Sequence, residues 1–153
     1  FPVFITLFFI ISTTSAQASR DYPIANPVTD KGYEEFGDYS IYYSVFNSTF
    51  IKPEIARLHN FTRGKNYALI NIAVVKKAGS AEAVTSISGA ITNLMQQRKK
   101  LVFTPIEEPG TTYYLAPFRF TNEEIINFFI EIVPQKNHKP LTLTFTKKLY
   151  VEK

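Results

Sequence analysis

Ser48, His59 and Asp38 are the residue types of a nucleophile, a general base and the acid that orients it, the set that cleaves acyl bonds in hydrolases. That chemistry needs the serine on a strained turn with the base in reach. No Gly-x-Ser-x-Gly elbow surrounds Ser48, and loop hydrogen bonding accounts for all three residues. The two histidines, His59 and His138, stand far apart without further ligands at zinc spacing. The carboxylate pairs Glu34-Glu35, Glu107-Glu108 and Glu123-Glu124 are sequence neighbours, and neighbours on a strand point to opposite faces. The sequence therefore reads as a non-enzyme with no catalytic residue, no metal and no cofactor.

Binding is the chemistry that remains. Residues 47–63 join a polar tripeptide, Asn47, Ser48 and Thr49, to a short helical stretch and two arginines, Arg57 and Arg63. Tyr43 and Tyr67 stand near the two ends of this connection in the sequence. Loops on a rigid scaffold are where binding concentrates, and these seven residues are the candidate binding set. Turn chemistry alone also explains the tripeptide, as caps for the helix that follows. Basic residues cluster at Lys76-Lys77, Arg98-Lys99-Lys100, within 136–139 and at Lys147-Lys148, mostly where strands should end. They read as solvated turns and protected sheet edges, or, if they converge, as a basic rim for an anionic envelope surface. No recognition motif points to nucleic acid.

The elements that must position these residues follow from periodicity. Residues 1–18 carry no charge, run apolar from Pro2 to Ile11, and end in Ala16-Gln17-Ala18, the pattern of a signal peptide cleaved after Ala18. An apolar run this short falls below the roughly 20 residues of a membrane span, so no integral span is expected after cleavage. The missing initiator Met and basic n-region read as a truncated start. Export and the absence of cysteine together fit a bacterial periplasm. Residues 19–36, with two prolines, read as a polar leader. Residues 37–153 then form one domain, with a formal net charge of +4 for the whole chain and 15% aromatics, nearly all Phe and Tyr.

Within that domain Tyr39, Ile41, Tyr43 and Val45 alternate, as do Ile70, Ile72 and Val74, then Phe128, Ile130 and Ile132, then Leu141, Leu143 and Phe145. Pro53 opens a helix capped by Thr49 or Lys52, with Ile55 and Leu58 on one side, which would plug one end of the domain. Gly89 signals a bulge or a close backbone approach, and Pro117 an edge strand or a bulge. Arg98-Lys99-Lys100 marks a turn before a strand over 101–106. Thr121 and Glu124 form a capping box opening one turn of helix. Asn71, among apolar neighbours, belongs on a wet face or in a pocket. The sum is an all-β fold: an immunoglobulin-like antiparallel β-sandwich of about seven strands with one short helix.

The runs Phe36-Gly37-Asp38-Tyr39, Phe46-Asn47-Ser48-Thr49-Phe50, Pro53-Glu54-Ile55-Ala56, Phe118-Arg119-Phe120-Thr121-Asn122-Glu123-Glu124 and Lys148-Leu149-Tyr150-Val151 together resemble the family of small exported bacterial proteins catalogued as domain of unknown function 4426. The resemblance covers nearly the whole mature chain. It implies a proteobacterial source, a periplasmic address and an all-β fold, and it implies no activity. The function expected is that of a periplasmic accessory module that binds an unidentified protein partner; the alternative is a binder of a small anion or an envelope lipid.

Overall fold

The computed structural model describes residues 32–77, 79 and 83–153. The signal segment and most of the leader lie outside the described residues. Among the described residues, nine strands form two antiparallel sheets. The five-stranded sheet has the order β1 (Tyr33–Phe36), β2 (Tyr39–Asn47), β3 (Tyr67–Lys76), β7 (Thr111–Arg119), β6 (Thr104–Glu108). The four-stranded sheet runs β5 (Arg98–Leu101), β4 (Ser86–Asn93), β8 (Glu124–Val133), β9 (Leu141–Leu149). The single helix among the described residues, α1 (Pro53–Leu58), and a 3-10 turn (Ser48–Phe50) lie in the connection between β2 and β3.

Alternation places the core. Ile41, Ile70, Ile72 and Ala116 of one sheet face Phe128, Ile130, Ile132 and Leu143 of the other, all buried. Phe128 stacks on Phe145 at 4.5 Å, and Phe145 stacks in turn on Tyr43, also at 4.5 Å, so an aromatic column crosses the gap between the sheets. Each such pair adds about 1 kcal/mol beyond the area it buries. Gly89 is a close approach, as its position implies: a Cβ there would lie 2.9 Å from the Phe129 carbonyl oxygen. Pro109-Gly110 closes the β6–β7 hairpin, with φ +82° at Gly110, a conformation that glycine adopts without strain.

Four expectations are corrected. Tyr33–Phe36, read as leader, is β1, paired with β2 across the Gly37-Asp38 turn. Arg98–Leu101 is a strand rather than a turn, and the strand expected over 101–106 is broken at 102–103, where the chain leaves one sheet for the other. These two changes raise the count from seven strands to nine. Pro117 lies in an interior strand. It stands opposite Leu69 of β3, beyond the last residue of β7 that β6 covers, so β7 is an edge there only locally. Thr121 and Glu124 do form the capping contacts, with the Thr121 N–H donating to Glu124 Oε2 at 2.6 Å. They close a tight turn instead of a helix, because Glu123 takes φ +58° and β8 begins at the next residue.

The helix does not plug an end of the sandwich. It covers the outer face of the five-stranded sheet, where Ile51, Ala56 and Phe61 pack on Leu69 and Leu115. A Schellman motif sets this up: Asn60 takes φ +57°, its N–H reaches the Arg57 carbonyl, and the Phe61 N–H bonds the Ala56 carbonyl at 2.8 Å. The motif brings Phe61 back against Ala56, and both enter the cluster. Leu58, expected on the packed side, is 72% exposed.

Candidate functional site

Antiparallel registry gathers one set of connections at one end of the sandwich. The β2–β3 connection, the β4–β5 hairpin tip, the β7–β8 turn and the tail after β9 all meet there, since Asn47 pairs with Ala68, Tyr67 with Arg119, Asn93 with Ile126 and Glu124 with Leu149. Six of the seven candidate residues belong to the first of these or to its immediate flanks.

The tripeptide pins the connection at its base. Asn47 caps the 3-10 turn by accepting from the Thr49 N–H at 2.9 Å, and its amide donates to the Lys65 carbonyl at 2.9 Å. Ser48 is fully buried; its hydroxyl donates to the Gly64 carbonyl at 3.1 Å and accepts from the Gly64 N–H at 2.9 Å. Thr49 donates to Glu152 in the tail at 2.9 Å, and Arg63 donates to the Thr49 carbonyl at 3.0 Å. Tyr67 begins β3, with its N–H on the Gly64 carbonyl. The capping role foreseen for the tripeptide serves the 3-10 turn, while α1 itself starts at Lys52 and Pro53 with no side-chain cap.

Two candidates take no part in this pinned base. Tyr43 points into the gap between the sheets and stacks on Phe145, whereas the connection lies over the opposite face. Arg57 is exposed in the last turn of α1, away from the pinned base. The hydrolase set is not assembled. Asp38 precedes β2 and Ser48 follows it, so a nine-residue strand, about 30 Å long, separates them. His59 ends α1 and stacks on Phe61. Among the described residues, no three His, Cys, Asp or Glu side chains gather as a metal set would require, and no helix is long and apolar enough to cross a membrane.

The rest of the end was not singled out in the sequence. A cavity of about 460 Å³ opens between Asn66, Gln97, Lys99, Arg119, Asn122 and Glu124. Lys99 approaches the Arg119 carbonyl at 3.5 Å. Partial burial pushes the Glu124 carboxyl up. Hydrogen bonds from the Thr121 N–H, the Asn93 amide and the Thr121 hydroxyl, with the charge of Lys99, outweigh that effect and hold it below the ordinary glutamate range. Asn93 organises the neighbouring hairpin tip, its Oδ1 accepting from the N–H groups of Met95 and Gln97. The tip thereby turns Leu94 and Met95 into solvent, 67% and 74% exposed. Phe50 and Tyr150 are exposed at the same end. The missed signal was an apolar pair, Leu94-Met95, between turn-forming polar residues.

The basic clusters do not converge. Arg98, Lys99 and Lys100 lie on edge strand β5, Lys147 and Lys148 on the opposite edge strand β9. Lys76 and the 134–140 connection lie at the far end, where His138 meets Tyr39 edge-on.

Comparison with known proteins agrees with this architecture. The family described as "Domain of unknown function (DUF4426)" matches residues 33–152. The crystal structure of a DUF4426 family protein from Pseudomonas aeruginosa is similar with a TM-score of 0.71 and 27% identity, over 79% of this chain and 95% of that one. FetP of uropathogenic Escherichia coli, recombinantly expressed in the periplasm, shares the fold with a TM-score of 0.55 and 11% identity, over 79% of this chain and 94% of its own. No curated protein matches the chain.

Proposed function

The chain belongs to the DUF4426 family, and from that premise we propose that it is a non-enzymatic accessory module of the bacterial periplasm that binds a protein partner through the loop end. One observation carries this: Phe50, Leu94, Met95 and Tyr150 are all exposed at a single end, on connections held by internal hydrogen bonds. Exposed apolar groups gathered on a rigid frame are the mark of an interaction surface, and a pinned loop loses little entropy on docking. The buried and doubly bonded Ser48 hydroxyl supports a non-enzymatic role. The periplasmic address rests on the apolar start of the sequence and agrees with the compartment in which FetP was expressed.

Strand addition at an edge is the weaker form of the reading. Three edge strands are short and either charged or interrupted by proline: β1 with Glu34-Glu35, β5 with its three cations, and β6 with Pro105 and two glutamates. Among the described strands only β9 offers a long edge.

The test is crosslinking of the tagged chain in the cell envelope, comparing wild type with Phe50→Ser and Met95→Ser. A partner captured by wild type and lost with either variant supports the loop end; capture unchanged in both would sink it. A second reading, a small anion held by Lys99 and Arg119, is favoured by the cavity that both cations line. It requires that phosphate or a small carboxylate raise the melting temperature of wild type and not of Lys99→Ala.

A further inference from the structure

The outer face of the four-stranded sheet is independent of the loop end. Phe128 and Ile130 point inward on β8, so Phe129 between them points outward, and at 44% exposure it is the large apolar group at the middle of this face. It lies in a row across all four strands, Lys100, Ala90, Phe129, Thr144. The next row toward the far end holds Ser88, Glu131 and Thr142, and the row on the other side Arg98, Thr92, Asn127 and Thr146. Ala90 and Ser88 are short, so a trough of about 500 Å³ opens between Arg98 and Lys100 on one wall and Phe129 and Glu131 on the other.

From this we infer that the face binds an acidic saccharide. Phe129 supplies an exposed flat apolar surface on which the C–H face of a sugar ring can rest, much as aromatic rings carry ligands elsewhere. Arg98 and Lys100, two residues apart on one strand and so about 7 Å apart at their Cα atoms, place two cations over a single stretch of ligand. No ion pair among the described residues engages either of them. The Ser88 hydroxyl and the Glu131 carboxylate can accept hydrogen bonds from sugar hydroxyls. Glu131 is what separates this ligand from a phosphate-dense one: a carboxylate in the trough repels a nucleic acid backbone or an anionic bilayer, while a hydroxyl-rich chain with spaced acid groups satisfies it. The trough is open and shallow, which suits a segment of a polymer better than an enclosed small molecule.

The experiment is a titration of the folded chain with tetragalacturonate, with maltotetraose as the neutral control, followed through backbone amide shifts. The expected result is saturable binding of the acidic sugar only, with shifts centred on Ala90, Phe129 and Thr144. Phe129→Ala should weaken it at least tenfold, and Arg98→Gln with Lys100→Gln should abolish it. Met95→Ser, at the loop end, should leave it unchanged. Equal binding of the neutral sugar, or undiminished binding by Phe129→Ala, overturns the inference. So does binding of phosphatidylglycerol vesicles or of a polyglutamate peptide in place of the sugar, which would give the face to a membrane or to a protein. Circular dichroism of each variant confirms the fold before titration.

Discussion

The two outer faces of the sandwich start from the same alternating pattern and end in opposite states. Over the five-stranded sheet, the outward positions include Leu69 and Leu115, flanked by Phe46 and Ile106, and a pinned excursion brings Ile51, Ala56 and Phe61 down on them. Over the four-stranded sheet, the outward positions are mostly polar or charged, and no segment of the described chain covers Phe129. The first face is therefore a second small core, the second a bare working surface. The comparison teaches that an outward apolar residue has two fates, and that its neighbours on the same face decide which. Clustered apolar positions draw a cover over themselves; a single ring among hydroxyls and charges stays in solvent.

Substitutions can break or sharpen this contrast. The largest effect is expected at the covered face, where Phe61→Ala should cost about 3 kcal/mol through lost burial and the cavity left behind. Urea unfolding would measure it, and a cost below about 1 kcal/mol would show that the excursion merely lies against the sheet. Ser48→Ala should cost about 2 kcal/mol, because both polar groups of Gly64 lose their partner at a buried site. In that variant limited proteolysis should open the chain within residues 48–66 first; cleavage elsewhere would mean that the hydroxyl does not hold the cover.

A gain is expected beneath the same cover. Asn71 faces outward between Ser44 and Leu115, and its buried Oδ1 has no hydrogen-bond partner. Asn71→Val removes that acceptor and adds a residue favoured in strands, so a stabilisation of about 1 kcal/mol is expected from the shift in urea midpoint. A loss instead would assign the amide a partner that the protein chain does not supply. The smallest effect is expected on the bare face: Phe129→Ala should change stability by no more than about 0.5 kcal/mol. A larger cost would make that ring structural and erase the distinction between the faces.

Most of the inner core was legible in the sequence. Ile41, Ile70, Ile72, Phe128, Ile130 and Leu143 fall where period-2 alternation puts them, since successive side chains on a strand must point to opposite sides. The covered face had a signal too: Ala68-Leu69-Ile70 is apolar without alternation, the pattern of a strand buried on both faces. Phe129 was passed over, although a large apolar residue at an outward phase is a signal of the same kind. The candidate loop was only half legible. Asn47, Ser48 and Thr49 were rightly read as turn formers, but that their partners are Lys65, Gly64 and Glu152 depends on contacts up to 103 residues distant.

The sequence by itself determined the class of fold, the phase of the strands, the helix start at Pro53 and the absence of disulfides, because each follows from local chemistry or from composition. Only the tertiary structure decided that Arg98–Leu101 is an edge strand, that Tyr43 stacks on Phe145 across the gap between the sheets, and which outer face is covered. The reason is physical. Alternation fixes which side of a strand is apolar, but strand order and the landing place of a long connection come from burying all the apolar faces at once, a condition that spans the whole chain.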